Sequence, residues 1–220
     1  GGFTISPVAI LKYLGLRYGI AGEGEIPFLQ FIEAFPDKDK ISRIPNMVYS
    51  CDKGYLVNPR RPYAFEQDPT LFLRDPKFNF SYQTNGFPVI IKRGCNQACS
   101  CCVEPLIEGS KFVFRSIDSV LDELKAIAET HAENITIFFV DTEFNVPDTR
   151  YCSRLVKAIL RAGLHERFRF VSQFLPKPFD LDFAKLLAQA SFSVMFSCES
   201  LSNTVLQRNR ISYQEIDIIK

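Results

Sequence analysis

Pro88-Val89-Ile90-Ile91-Lys92-Arg93-Gly94-Cys95-Asn96-Gln97-Ala98-Cys99-Ser100-Cys101-Cys102 decides how the chain is read. Its opening run is apolar and rich in β-branched residues, with a glycine close behind, so it predicts a short buried strand ending in a loop. Loops at the ends of buried strands are where α/β proteins usually place chemistry. Four of the seven cysteines fall in this loop, with Cys95, Cys99 and Cys102 at spacing C-x3-C-x2-C. Thiolates so close in sequence can curl around one inorganic centre, and soft sulfur donors favour an iron–sulfur cluster or zinc. Three thiolates leave one iron of a cubane open, as catalytic metals keep a position free for substrate. On spacing alone a structural zinc knot, a redox pair of Cys99 and Cys102, and chance clustering remain as alternatives.

Composition narrows the field. A length of 220 residues allows one to two domains, and a hydrophobic fraction of 46% is ample for a packed core. A net charge of +1 gives no reason to expect a nucleic acid or an anionic membrane as partner. No stretch approaches the ~20 apolar residues of a membrane span, and no signal peptide is visible. Seven cysteines, odd in number and clustered, argue for a reducing compartment, the cytoplasm, rather than a disulfide framework.

Downstream of the loop the chain alternates strand and helix. Ser116 opens a helix with Val120, Leu121, Leu124, Ile127 and Ala128 at helical spacing, and Asp118, Asp122 and Glu123 suit its dipole. Residues 135–140 form the next strand. Asp148 or Thr149 caps a helix carrying Leu155, Val156, Ile159 and Leu160, which Gly163 stops. A strand over 168–171, a helix over 180–190 and a strand over 192–196 follow. Ser212 and Glu215 read as a capping box opening a last helix. This pattern calls for parallel strands with right-handed crossovers, which an open sheet or a barrel satisfies. Polar residues follow three strands: Asp141-Thr142-Glu143-Phe144-Asn145, Ser172-Gln173 and Ser197-Cys198-Glu199-Ser200. As solvent-exposed acids or helix caps these would need no ligand, and Asn145 or Asp148 suits a cap better than a ligand. Cys51, Cys152 and Cys198 read as small buried hydrophobes, and His131 and His165 as surface residues. No serine–histidine–acid arrangement and no phosphate loop is present.

Upstream, residues 1–58 read as the tail of a doubly wound α/β domain. Ser6-Pro7 opens a helix with Val8, Leu11, Leu14 and Leu16; Gly19-Ile20-Ala21 is a short strand; Gly22-Glu23-Gly24-Glu25 turns out of it. Pro27 opens a second helix with Phe28, Leu29, Phe31 and Ile32 on its apolar face. Asn46–Tyr49 and Tyr55–Val57, joined by Asp52-Lys53-Gly54, form a hairpin. Residues 59–87, broken by prolines and dense in aromatics, predict a long irregular connector pinned by aromatic burial. With Gly1-Gly2 at one end and an unfinished helix at the other, the sequence is expected to be a piece of a larger protein.

The C-x3-C-x2-C loop after a first strand resembles the radical S-adenosylmethionine (SAM) enzymes. That resemblance implies a 4Fe-4S cluster on Cys95, Cys99 and Cys102, with SAM chelating the fourth iron. The residue before the last cysteine is usually aromatic in that family; here it is Cys101, which leaves open a register in which Cys101 replaces Cys102. The resemblance also selects a partial (β/α)6 barrel over 88–220, with four of six units present and ligands at the C-terminal strand ends. It places Glu143 near the methionine amino end of SAM, Ser172 at the third strand end, and Glu199 facing the nucleoside. Gly1-Gly2 and Gly22-Glu23-Gly24-Glu25, in that order around a helix and a short strand, are similar to the last part of the cobalamin-binding domain that precedes one branch of the family. There these residues would border cobalamin, glycine letting backbone approach a ligand closely. Taken singly, each motif reads rather as ordinary turn glycine or a solvated acidic helix start. The implied activity is reductive cleavage of SAM, hydrogen abstraction from an unreactive carbon, and delivery of a methyl group from cobalamin to a small-molecule or peptide substrate. An electron donor such as flavodoxin or ferredoxin is implied with it. Rearrangement, cyclisation or methylthiolation by the same radical is the alternative within the class, and a non-catalytic zinc module the alternative outside it.

Overall fold

The computed structural model describes residues 1–61, 87–130 and 135–219. Most of the connector expected over 59–87, and His131, lie outside the described residues. The chain divides into two compact units, Gly1–Ala64 with Cys102–Ser110, and Phe65–Cys101 with Lys111–Lys220.

The first unit begins with α1 (Gly2–Ile5) and α2 (Pro7–Leu14), which Gly15 ends at φ 66, a left-handed position that suits glycine. Next come β1 (Tyr18–Ile20), α3 (Glu25–Ala34), α4 (Lys38–Ile41), β2 (Met47–Cys51), β3 (Gly54–Val57) and α5 (Glu104–Ile107). The expected hairpin forms, and β1 adds to it as a third antiparallel strand in the order β1-β2-β3, with Tyr18 opposite Tyr49. The apolar face foreseen for α3 is corrected. Phe28, Leu29 and Ile32 are 55–57% exposed, while Pro27 and Ala34 are buried and the Phe31 ring lies 5.2 Å from that of Tyr18. Apolar residues run most of the way around α3, but only the stripe at i, i+4 and i+7 meets the sheet.

Asn46, at φ 67, organises the turn after β1. Its Nδ2 donates to the Glu23 carbonyl (3.0 Å), its Oδ1 accepts the Arg61 N–H (2.7 Å), and its carbonyl accepts the Ala21 N–H (2.8 Å). Asn tolerates the left-handed region better than most residues.

The second unit is built on β4 (Phe87–Val89), β7 (Ile135–Phe139), β8 (Phe168–Phe174) and β9 (Phe192–Phe196), all parallel and in that order. Between β4 and β7, β5 (Lys92–Arg93) pairs antiparallel with β6 (Val113–Phe114), so the cysteine loop leaves and returns through a two-residue neck. The helices are α6 (Ile117–Thr130), α7 (Thr149–Arg161), α8 (Leu181–Gln189), α9 (Asn203–Arg208) and α10 (Glu215–Ile219). Ser116 Oγ accepts the Ser119 N–H and Asp148 accepts the Arg150 N–H, so both expected caps form. Val120, Leu124 and Ile127 of α6 and Leu155, Val156 and Ile159 of α7 pack against Val89, Ile137, Phe139, Phe168, Phe170 and Phe174. Stacked rings of Phe139, Phe170 and Phe192, with centroids 5.0–5.9 Å apart, fill the middle. Strand residues of the opposite parity, including Arg169, Gln173, Ser193 and Met195, are exposed, so helices cover one face of the sheet.

This is the expected α/β fold with a parallel sheet, four β/α units in barrel order. Two details differ. Helix α9 was not foreseen, and the Ser212–Glu215 box does not describe the start of α10. There the Gln214 N–H donates to Asp217 and the Glu215 N–H to Asn203 Oδ1, a partner twelve residues away. No helix among the described residues is long and apolar enough to cross a membrane.

Candidate functional site

The cysteine loop leaves the sheet under tight constraint. After β4 the N–H groups of Ile91 and Lys92 turn to Asp141 Oδ1, at 2.8 and 2.9 Å. Thr142 Oγ1 donates to the Gly94 carbonyl (3.1 Å), and Gly94 sits at φ 88, where side chains are strained. Lys92 is 1% exposed and donates through Nζ to the carbonyls of Glu143 (2.5 Å), Phe144 (3.2 Å) and Val146 (2.8 Å). The first leg of the loop is thereby clasped to residues 141–146 at the C-terminal end of β7. The returning leg is held by Arg115, whose N–H donates to the Ile91 carbonyl and whose guanidinium reaches the Ile90 carbonyl and the buried Glu123 carboxylate. Between the legs, Ser100 donates through N–H and Oγ to the Asn209 carbonyl (3.0 Å) and Oδ1 (3.1 Å).

Among the loop cysteines, Cys95 is buried, Cys99 half-buried, and Cys101 and Cys102 exposed, and none of them is in a disulfide. Among the described residues no three donor side chains already stand together as a metal site. The chemistry of the donor set nonetheless fits an iron–sulfur cluster: three sulfurs within eight residues, on a loop fixed at both legs. The Glu104 N–H points at Cys102 Sγ (3.5 Å). Cys152 is buried as expected; it donates to the Phe144 carbonyl, and burial pushes its thiol up to about 12. Cys51 is half-buried and Cys198 exposed, which corrects the reading of both as core residues.

The strand ends bring two of the candidate acids together. Glu143 is half-buried, and burial pushes its carboxyl above the ordinary range; a hydrogen bond with Ser197 and the charge of Lys92 pull it down, and Glu199 pushes it up. Its Oε2 is buried with no hydrogen-bond partner among the described residues. Glu199 is exposed, and its N–H donates to Tyr213 Oη (2.7 Å), which itself donates to the Ser197 carbonyl (3.1 Å). The sequence reading missed Tyr213, because a contact fourteen residues away leaves no local signature.

Two candidates change role. Ser172 lies inside β8 rather than after it, is buried, and donates through Oγ to the Phe139 carbonyl (3.0 Å). It shares the helix-covered face with Phe170 and Phe174, so its hydroxyl is spent within the sheet, and Gln173 is the neighbour that faces outward. Asn145 is buried and bonds Leu175 and Pro178 rather than capping α7. His165 is half-buried in the short turn Leu164–Glu166.

In the first unit, Gly1 and Gly2 start α1 rather than end a strand, and a Cβ on either would meet nothing within 4 Å. Gly24 is nearly as open. Gly22 differs from the expectation of open backbone: it has φ 94, and a Cβ there would lie 2.8 Å from Arg60 Nε. That guanidinium donates to the Leu106 and Ile107 carbonyls, so the chain's own packing already demands the glycine. Glu23 contributes its carbonyl to Asn46, and Glu25 is the exposed first residue of α3. Backbone approach by a large planar cofactor fits Gly1, Gly2 and Gly24, not Gly22.

The sequence profile of the Radical SAM superfamily matches residues 89–220, and the chain belongs to that superfamily. It is 24% identical to the tryptophan 2-C-methyltransferase of Streptomyces laurentii over 86% of this chain and 41% of the relative. A shorter match, 36% identical over 38% of this chain and 19% of the relative, is to the tRNA-2-methylthio-N(6)-dimethylallyladenosine synthase of Chlorobium limicola. The fold is that of the radical S-adenosylmethionine methyltransferase TsrM from Kitasatospora setae, solved with cobalamin and a 4Fe-4S cluster: TM-score 0.78, 22% identity, covering 99% of this chain and 45% of that one. The chain thus spans less than half the length of these relatives.

Proposed function

We propose that this chain carries the SAM-cleaving part of a cobalamin-dependent radical SAM enzyme that methylates an unactivated carbon. The observation that carries the proposal is the clasp of the cysteine loop onto residues 141–146, which sets a sulfur-rich loop beside two converging acids at the C-terminal ends of parallel strands. Cys95, Cys99 and Cys102 would hold the cluster. When bound, cluster, SAM and cobalamin supply the electron, the radical precursor and the methyl carrier. Glu143 and Glu199 accept hydrogen bonds from the SAM ammonium and ribose, where ionised acceptors bind most strongly. Lys92, Asp141 and Thr142 hold the loop, and Tyr213 fixes the turn that carries Glu199. Gly1, Gly2 and Gly24 offer backbone to cobalamin. The substrate is a small molecule or a peptide, and the electron comes from a carrier such as flavodoxin or ferredoxin.

The match to the methylthio-synthase supports a second reading, methylthiolation. Anaerobic incubation of reconstituted protein with SAM and a strong reductant, with and without cobalamin, separates the readings. Cobalamin-dependent release of S-adenosylhomocysteine together with 5′-deoxyadenosine is expected. The same products without any need for cobalamin would favour methylthiolation, and intact SAM would defeat both.

A further inference from the structure

Lys92 has a feature that clasping a loop does not require: it buries a full positive charge at the root of the cysteine loop. Its side chain is 1% exposed, and Nζ is met by three main-chain carbonyls at 2.5–3.2 Å. The Phe112 ring centroid lies 5.5 Å away. Carbonyl oxygens only accept hydrogen bonds, and an ammonium has three N–H groups to give, so the cavity suits the charged form. Burial alone pulls this ammonium below its ordinary pKa; Cys152, Asp141, Cys95 and Glu143 are close enough to act on it electrostatically and oppose that pull. Of these, the Cys152 thiol is pushed up to about 12 and so carries no charge beside Lys92. Lys92 is thereby a buried cation at the root of the loop, and its own N–H donates to the Asp141 carboxylate.

Charges buried together are screened far less than charges in water, and the potential of an iron–sulfur cluster responds to the net charge and hydrogen bonds around it. We propose that Lys92 is a positioning residue whose buried charge sets the reduction potential of the cluster held by Cys95, Cys99 and Cys102, easing the arrival of an electron. The proposal rests on the cluster reading above. A neutral side chain at position 92 would remove a buried positive charge from the root of the cysteine loop and make reduction harder. A lysine that only braced the loop would change stability and leave the potential where it was.

The test is an anaerobic potentiometric titration, read by electron paramagnetic resonance of the reduced cluster. It compares the reconstituted wild type with Lys92→Met, Lys92→Arg and Asp141→Asn, after iron and sulfide analysis of each. Lys92→Met should have a lower midpoint and Lys92→Arg one near the wild type. Asp141→Asn, whose Oδ1 still accepts the Ile91 and Lys92 N–H groups without a charge, should have a higher one. Equal midpoints, or shifts of Lys92→Met and Asp141→Asn in the same direction, overturn the proposal while leaving the cluster in place. If Lys92→Met loses its iron, Asp141→Asn decides: a rise supports the proposal, and no shift overturns it. A wild type without iron and sulfide overturns the cluster reading, and this proposal with it.

Discussion

Arg115 and Glu123 are an ion pair taken almost wholly out of water, with side chains 3% and 6% exposed. The pair closes the returning leg of the cysteine loop, since Arg115 also reaches the Ile90 carbonyl and Ser119. Removing one partner strands the other, so Glu123→Ala should cost about 3–5 kcal/mol in denaturant unfolding. A cost within about 0.5 kcal/mol would show the site to be wet. Glu143 gives a pH signature. Burial raises its folded pKa above the ordinary 4.5, so the unfolded chain ionises first as pH rises, and stability is lost from about 4.5 up through the raised value. Glu143→Gln should therefore unfold at a higher temperature than the wild type at neutral pH, with the gap narrowing below that range; a neutral-pH advantage for the wild type contradicts the assignment. At this scale the sequence shows what is local. Ser116 and Asp148 announce themselves as caps because their partners lie two or three residues on. Lys92, Asn145 and Tyr213 do not, because each finds its partners across a loop or from another strand end.

Ser172 shows how an element's length decides a residue's role. A strand read as ending at Val171 leaves Ser172 in the loop beyond it, free to meet a ligand. The observed strand runs on to Phe174, and period-two alternation turns Ser172 toward the helices. Ser172→Ala should lose one interstrand hydrogen bond, about 1 kcal/mol, and leave SAM affinity unchanged in equilibrium dialysis. Weaker binding at unchanged stability would return Ser172 to the site. The end of α7 is a second check. Gly163 stands at φ 68, so Gly163→Ala should cost about 1 kcal/mol in thermal or denaturant unfolding; no loss would mean the turn relaxes. Elements with strong periodicity, such as α6 and α7, were legible. Helix α9 was not, since its six residues bury Leu206 alone and give no repeating face.

Over the whole molecule, the alternation of strand and helix after Pro88 was enough to foresee a parallel sheet, because short connections and right-handed crossovers leave few arrangements. The domain boundary was less legible. A division near residue 58 follows the composition, yet Cys102–Ser110 groups with the N-terminal unit, a pairing of segments distant in sequence that no local pattern announces. The cysteine loop is what gives the fold its chemistry, so the metal it takes is the central question. Anaerobic reconstitution followed by iron and sulfide analysis addresses it directly. The account predicts about four irons and as many sulfides per chain, lost in Cys95→Ala, Cys99→Ala and Cys102→Ala and kept in Cys101→Ala. Stoichiometric zinc without sulfide, or loss in Cys101→Ala with retention in Cys102→Ala, would contradict it.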